Sequence, residues 1–175
     1  MERFVDELAR ARIGATFNFY REGGGARLRR LRLAAYLEAR RGAGVLVVGE
    51  AAGYRGARVS GLPFTSERQL TGAGPAEATA TIVQRTLAEL GLTDAVLLWN
   101  LVPTHPHRAG EPASNRAPTA VEIDAAAPFL AELARGRRVV AVGRLAQRRL
   151  GGAYVRHPSH GGAAAFRVGL RQALA

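Results

Sequence analysis

The sequence predicts an α/β domain: a three-layer α/β/α sandwich with a central four-stranded parallel sheet. Two observations carry this. Short apolar, β-branched runs alternate with stretches of helical period, the pattern of a parallel sheet with helices on both faces. The first of those runs, Val45 to Gly49, also lacks polar interruption, as a strand buried on both faces does. At 175 residues the chain has the length of one ordinary domain, residues 1–175, large enough for a real core.

Taken in order, a first helix is expected over Glu2 to Ile13, with Phe4, Val5, Leu8 and Ile13 near one face. A loop through Gly14 to Gly25 ends in three glycines. Ala26 to Arg41 reads as a second helix, with Leu28, Leu31 and Ala35 on the inner face and the arginines pointing mainly elsewhere. Val45 to Gly49 is the first strand. After a long loop to Gly74, Pro75 opens a helix continued by Ala76 to Leu90. Ala95 to Trp99 is the second strand, and another long loop runs to Pro118. Thr119 and Glu122 have capping-box spacing for the next helix, which Pro128 should kink or divide. Arg138 to Val142, a short helix Leu145 to Leu150, a strand Ala153 to Arg156 and a helix Ala163 to Ala175 complete the chain. The two long loops exceed what simple connectors need, and such loops in compact domains are usually functional.

Composition narrows the function. The chain has no cysteine, which excludes disulfides, thiolate catalysis and cysteine-held zinc or iron–sulfur centres. The net charge is +11, from 25 basic residues, all arginine, against 14 acidic ones, a balance that favours a polyanion, nucleic acid first. No apolar run approaches the ~20 residues of a membrane span, and MERFVDELARAR lacks the apolar stretch of a signal peptide. A cytoplasmic monomer without a membrane partner is expected.

Chemistry-bearing residues gather where strands end, the edge at which open α/β sheets bind ligands. After the first strand, Gly49 and Gly53 bracket Glu50, Ala51 and Ala52, so backbone can approach a ligand closely. Gly61-Leu62-Pro63 stiffens the approach to Phe64, a candidate stacking ring, and Glu67 is a second acid in reach. Asn100 follows the second strand; its amide sets donor beside acceptor, matching the edge of a pyrimidine or purine. After the last strand, His157 can donate a hydrogen bond to an oxygen gaining negative charge, and Ser159, His160 and Gly161 form a loop able to press on a nucleic-acid groove. Taken alone, each also fits a structural role: core aromatic, helix cap, turn residue or surface histidine. Their joint placement is what is specific. His105 and His107 with the later histidines give a weak zinc pattern without matching acids, so neither metal nor other cofactor is expected.

These stretches resemble the uracil-DNA glycosylase superfamily. GEAAG at Gly49 to Gly53 is similar to its GEAPG motif, with Gly61 to Phe64 matching GxPF. Asn115-Arg116-Ala117-Pro118-Thr119 resembles NRxPT, and His157-Pro158-Ser159 the HPS motif. The resemblance covers residues 44 to 170 in order. It implies a flipped-base mechanism in which Phe64 stacks on the base, Asn100 reads its edge and His157 stabilises the departing base. A carboxylate, Glu50 or Glu67, orients water or balances charge on the sugar. Arg55 and Arg58, with the helix arginines, would contact phosphates. The chain departs from the family's familiar branches at three points. It lacks the cysteines of the GEAPG branch's iron–sulfur cluster. Ala51 stands where the GQDPY branch has aspartate, and Gly53 where that branch's tyrosine blocks thymine's methyl. A relative with FTxD, similar to Phe64 to Glu67, uses its last acid on water.

The expectation is a DNA glycosylase of base-excision repair that hydrolyses the N-glycosidic bond of uracil or another deaminated base in single- or double-stranded DNA. The competitors are a catalytically weak damage-binding member of the same fold, which Ala51 favours, and a nucleoside or nucleotide hydrolase, which the charge disfavours.

Overall fold

The computed structural model of the chain describes residues 1–174. Eight helices and four strands alternate among these: α1 (Glu2–Arg10), α2 (Ala26–Ala39), β1 (Val45–Ala51), α3 (Ala57–Ser60), α4 (Glu67–Thr71), α5 (Ala78–Glu89), β2 (Val96–Val102), α6 (Ala120–Ala134), β3 (Arg138–Val142), α7 (Arg144–Leu150), β4 (Ala153–Val155) and α8 (Ala163–Leu174). The last residue of the expected final helix, Ala175, lies outside the described residues.

All four strands are parallel, in the order β2-β1-β3-β4. Successive side chains of a strand face opposite sides. Leu46, Val47 and Val48 are all buried, as is every residue of β2, so both faces of the sheet are covered. The three-layer α/β fold is as expected. Trp99 anchors one side: its ring meets Phe4 of α1 edge-on at 5.8 Å, and Phe4 meets Phe129 of α6 at 5.6 Å. The outer edge of β2 is closed at one point by Tyr36 of α2, whose hydroxyl accepts from the Leu98 amide at 2.8 Å.

Several boundaries differ from expectation for identifiable reasons. Helix α1 stops at Arg10 because the Asn18 side chain folds back to donate to the carbonyls of Leu8 and Ala11. Ile13 is still buried, but from the following loop. The inner face of α2 is Ala26, Leu33, Tyr36 and Leu37, whereas Leu28 and Leu31 are 50% and 58% exposed. The arginines turn inward there: Arg29 Nε donates to the Phe19 carbonyl at 2.8 Å and Arg30 to the Tyr20 carbonyl at 2.6 Å. Helix α5 begins at Ala78, so Pro75 lies in the preceding loop. Helix α6 runs through Pro128 undivided, and its capping box is formed as expected.

The second long loop is braced by a nearly buried ion pair. Arg116 grips Glu122 through both terminal nitrogens, at 2.8 and 2.6 Å, with the Glu122 side chain 3% exposed. Glu122 also accepts from the Thr119 amide at 2.9 Å. Arg116 holds the Glu122 carboxyl below its ordinary value of 4.5. Removing one partner leaves a buried charge unpaired, so Glu122→Ala should lower the unfolding free energy by about 3 kcal/mol near neutral pH. A carboxyl whose folded value is depressed stabilises above its unfolded value and ceases to as pH falls through the folded one. The deficit should therefore be full above pH 4.5 and shrink below it, as denaturant unfolding across that range would show.

Candidate functional site

The carboxyl ends of all four strands open onto one cavity of about 700 Å³. Its wall includes Glu50, Ala51 and Gly53 from the end of β1, Phe64 from the following loop, Asn100 from β2, and His157, Ser159 and His160 beyond β4. Eight of the residues singled out from sequence are thus brought together.

Gly49 stands behind them, paired in register with Asn100. A Cβ there would drive into the Phe64 ring and come within 2.9 Å of the Asn100 side-chain oxygen. The absent side chain is what lets ring and amide meet. Asn100 lies inside β2 rather than after it, and is buried, so the strand itself fixes its direction. Phe64 has a left-handed backbone (φ 49°), costly for a residue with a side chain. A local network holds it: the Ser60 hydroxyl donates to the Thr65 carbonyl at 2.6 Å and accepts from the Leu62 amide at 3.0 Å. From α5, Gln84 donates to the Phe64 carbonyl at 3.1 Å.

At His157 the tautomer follows from the geometry. The Ser159 amide can only donate, and it points at Nδ1 at 3.2 Å, with the Ser159 hydroxyl 2.7 Å from the same atom. Nδ1 is therefore an acceptor and Nε2 carries the proton, as a donor for a ligand. Burial holds the imidazole below its ordinary value of 6.5, with His160 and Arg156 adding repulsion, so the ring is neutral near pH 7.

The two sequence-predicted acids part company. Burial raises the Glu50 carboxyl above its usual value, partly offset by Arg148, and both line the cavity. Glu67 is absent from the wall. Arg32 of α2 takes both of its oxygens, at 2.7 and 2.9 Å, and holds its carboxyl low. Arg55 and Arg58 also lie off the main wall, lining an adjoining hollow of about 520 Å³ with Tyr54 and Arg68, and Gly161 is on neither wall. The Arg58 guanidinium stacks over the rings of Phe17 and Tyr54, at 5.2 and 5.0 Å.

Sequence reasoning gave no individual role to several residues of the wall. Arg144 opens α7 and Arg148 lies in its last turn, beyond a strand end without a recognisable motif. The Asn115 side-chain oxygen accepts from the Tyr54 amide at 2.9 Å, tying the second long loop to the first. Glu77, in the N-cap position of α5, fell inside the helix expected from Pro75 to Leu90 and carried no motif.

The protein is thus a three-layer α/β/α domain whose strand ends gather an aromatic ring, a carboxamide and a neutral histidine donor in one cavity. The sequence model of the uracil DNA glycosylase superfamily matches residues 38–170, and the chain belongs to that superfamily. A crystal structure of wild-type SMUG2 from Pedobacter heparinus is similar in fold, with TM-score 0.66 and 13% identity over 98% of this chain and 95% of that one. A search of curated protein sequences finds no match. Membership supports a DNA glycosylase-type function, with DNA as the partner.

Two outcomes are expected. Gly49→Ala should destabilise the fold by about 2 kcal/mol, because ring and amide must both move; thermal unfolding measures this. Nitrogen-15 NMR should find His157 protonated at Nε2 near neutral pH, gaining its second proton only below the ordinary value of 6.5.

Proposed function

We propose that the protein is a DNA glycosylase of base-excision repair that hydrolyses the N-glycosidic bond of a flipped-out uracil or other deaminated base, leaving an abasic site. The observation that carries this reading is the meeting of Phe64 and Asn100 over Gly49, in one cavity with His157 and Glu50.

The target nucleotide leaves the stack, at a cost of a few kcal/mol that is least for damaged or mispaired bases. Phe64 receives the face of the base. The Asn100 amide donates to a base carbonyl and accepts from the neighbouring ring N–H. As the C1′–N bond breaks, its electron pair leaves with the base, and negative charge spreads to a carbonyl oxygen. His157 Nε2–H donates to that oxygen; a neutral imidazole does so without transferring its proton. Water attacks C1′ and passes a proton to a carboxylate. Glu50 takes that role, since Arg32 occupies Glu67 away from the wall. Ser159 fixes the His157 ring, and Gly161 allows the turn behind it. The arginines of the adjoining hollow, Arg55 and Arg58, face the phosphates beside the flipped nucleotide.

Single-turnover base release from oligonucleotides carrying uracil opposite guanine or adenine, uracil in single strands, hypoxanthine, or thymine opposite guanine tests the reading, with abasic sites revealed by alkali. Release from at least one is expected. Asn100→Ala should remove most of it with little loss of DNA binding. His157→Ala should slow it by about one to three orders of magnitude, and Glu50→Gln should slow it more than Glu67→Gln. DNA bound without any base release would instead indicate a damage-binding protein.

A further inference from the structure

Two carboxylates line the cavity, and their surroundings differ. Among the described residues Glu50 forms no ion pair, but the Arg148 guanidinium is near enough to favour its charged form. Glu77 has no such countercharge: among the described residues its carboxylate forms no ion pair, and although Glu77 occupies the N-cap position of α5, its side chain does not cap that helix. The backbone there is pinned, because both the amide and the hydroxyl of Thr81 donate to the Glu77 carbonyl at 3.0 Å. The side chain reaches instead across to the turn that follows β1. A Cβ on either Gly53 or Gly56 would overlap its carboxylate, so two glycines make room for this one acid.

A half-buried anion with no countercharge costs free energy in the unbound protein. That cost is relieved when positive charge appears beside it. Breaking an N-glycosidic bond creates such charge on the sugar ring, whereas the resting substrate is neutral at that point. An interaction that strengthens only as the bond breaks accelerates the chemical step rather than tightening substrate binding.

We propose that Glu77 is the carboxylate that stabilises the positive charge developing on the deoxyribose, leaving Glu50, with Arg148 beside it, to hold the attacking water. This rests on the glycosylase reading above. The electron pair of the C1′–N bond departs with the base, and C1′ and the ring oxygen share the positive charge. Water adds to C1′ and gives its proton to Glu50, while Glu77 forms and breaks no bond.

The test uses Glu77→Gln, which keeps the shape and removes the charge. Affinities are measured for two duplexes that differ at one position, one bearing a cationic pyrrolidine abasic analogue and the other a neutral tetrahydrofuran analogue. The wild type should favour the cation, and Glu77→Gln should lose about tenfold or more of that preference while binding the neutral duplex as before. Glu50→Gln should retain more of it. Gly53→Ala, whose methyl takes the carboxylate's place, should lose the same preference, and thermal unfolding would verify that each variant is folded. A wild-type preference in Glu77→Gln would overturn the proposal, as would an equal loss of affinity for both duplexes. Base release by the wild type, followed separately, judges the glycosylase reading: if no base is released that reading fails, while the pyrrolidine preference still decides whether Glu77 faces a cation.

Discussion

The site depends on a missing side chain. Gly49 sits on the central strand, opposite Asn100 in the parallel register, and only hydrogen at its Cα lets the Phe64 ring and the Asn100 side-chain oxygen both approach the space beside it. The register sets which residue of β2 stands there, because the sheet admits one side chain per level on each face. The strain at Phe64 is the counterpart: its left-handed backbone brings the ring back over the strand it has just left, and Ser60 and Gln84 hold it there. Strain at such a position persists only where its surroundings over-determine it.

The long loops around this point are tied together by contacts that lie outside the cavity. Glu122 joins the capping of α6 to Arg116, and Asn115, one residue earlier, holds the Tyr54 amide of the opposite loop. The buried His105 ring meets the Ala52 carbonyl at 2.8 Å, and the backbone of His105 pairs with Phe17 in both directions. The NRxPT stretch therefore braces the wall as well as lining it. A cavity held this firmly suits the proposed chemistry, in which fixed donors await charge that appears only as a bond breaks.

Much of this was legible in the sequence. The strands were, because continuous burial on both faces leaves uninterrupted apolar runs; β3 was located to the residue. The start of α6 was, because a capping box is a local device. Glu50, Phe64, Asn100 and His157 were legible as a group because each lies at or beyond the carboxyl end of a strand, and parallel strands deliver those ends to one edge. What escaped is set by contacts remote in sequence. The inner face of α2 could not be read from its leucines, since its arginines find carbonyls in the loop at Phe19 and Tyr20. Glu67 could not be separated from Glu50 without seeing Arg32, and Glu77 carries no signal until the turn at Gly53 and Gly56 is placed beside it.

The central claim is that the edge defined by Gly49, Phe64 and Asn100 receives a base turned out of DNA. The most direct measurement is a crystal structure with a duplex carrying a 2′-fluoroarabino-uracil nucleotide, whose glycosidic bond resists hydrolysis. The account predicts the uracil outside the helix, its face on the Phe64 ring, its polar edge on the Asn100 amide, and a carbonyl oxygen within hydrogen-bond distance of His157 Nε2. A uracil left stacked in the duplex, with DNA bound on another face of the protein, would contradict it.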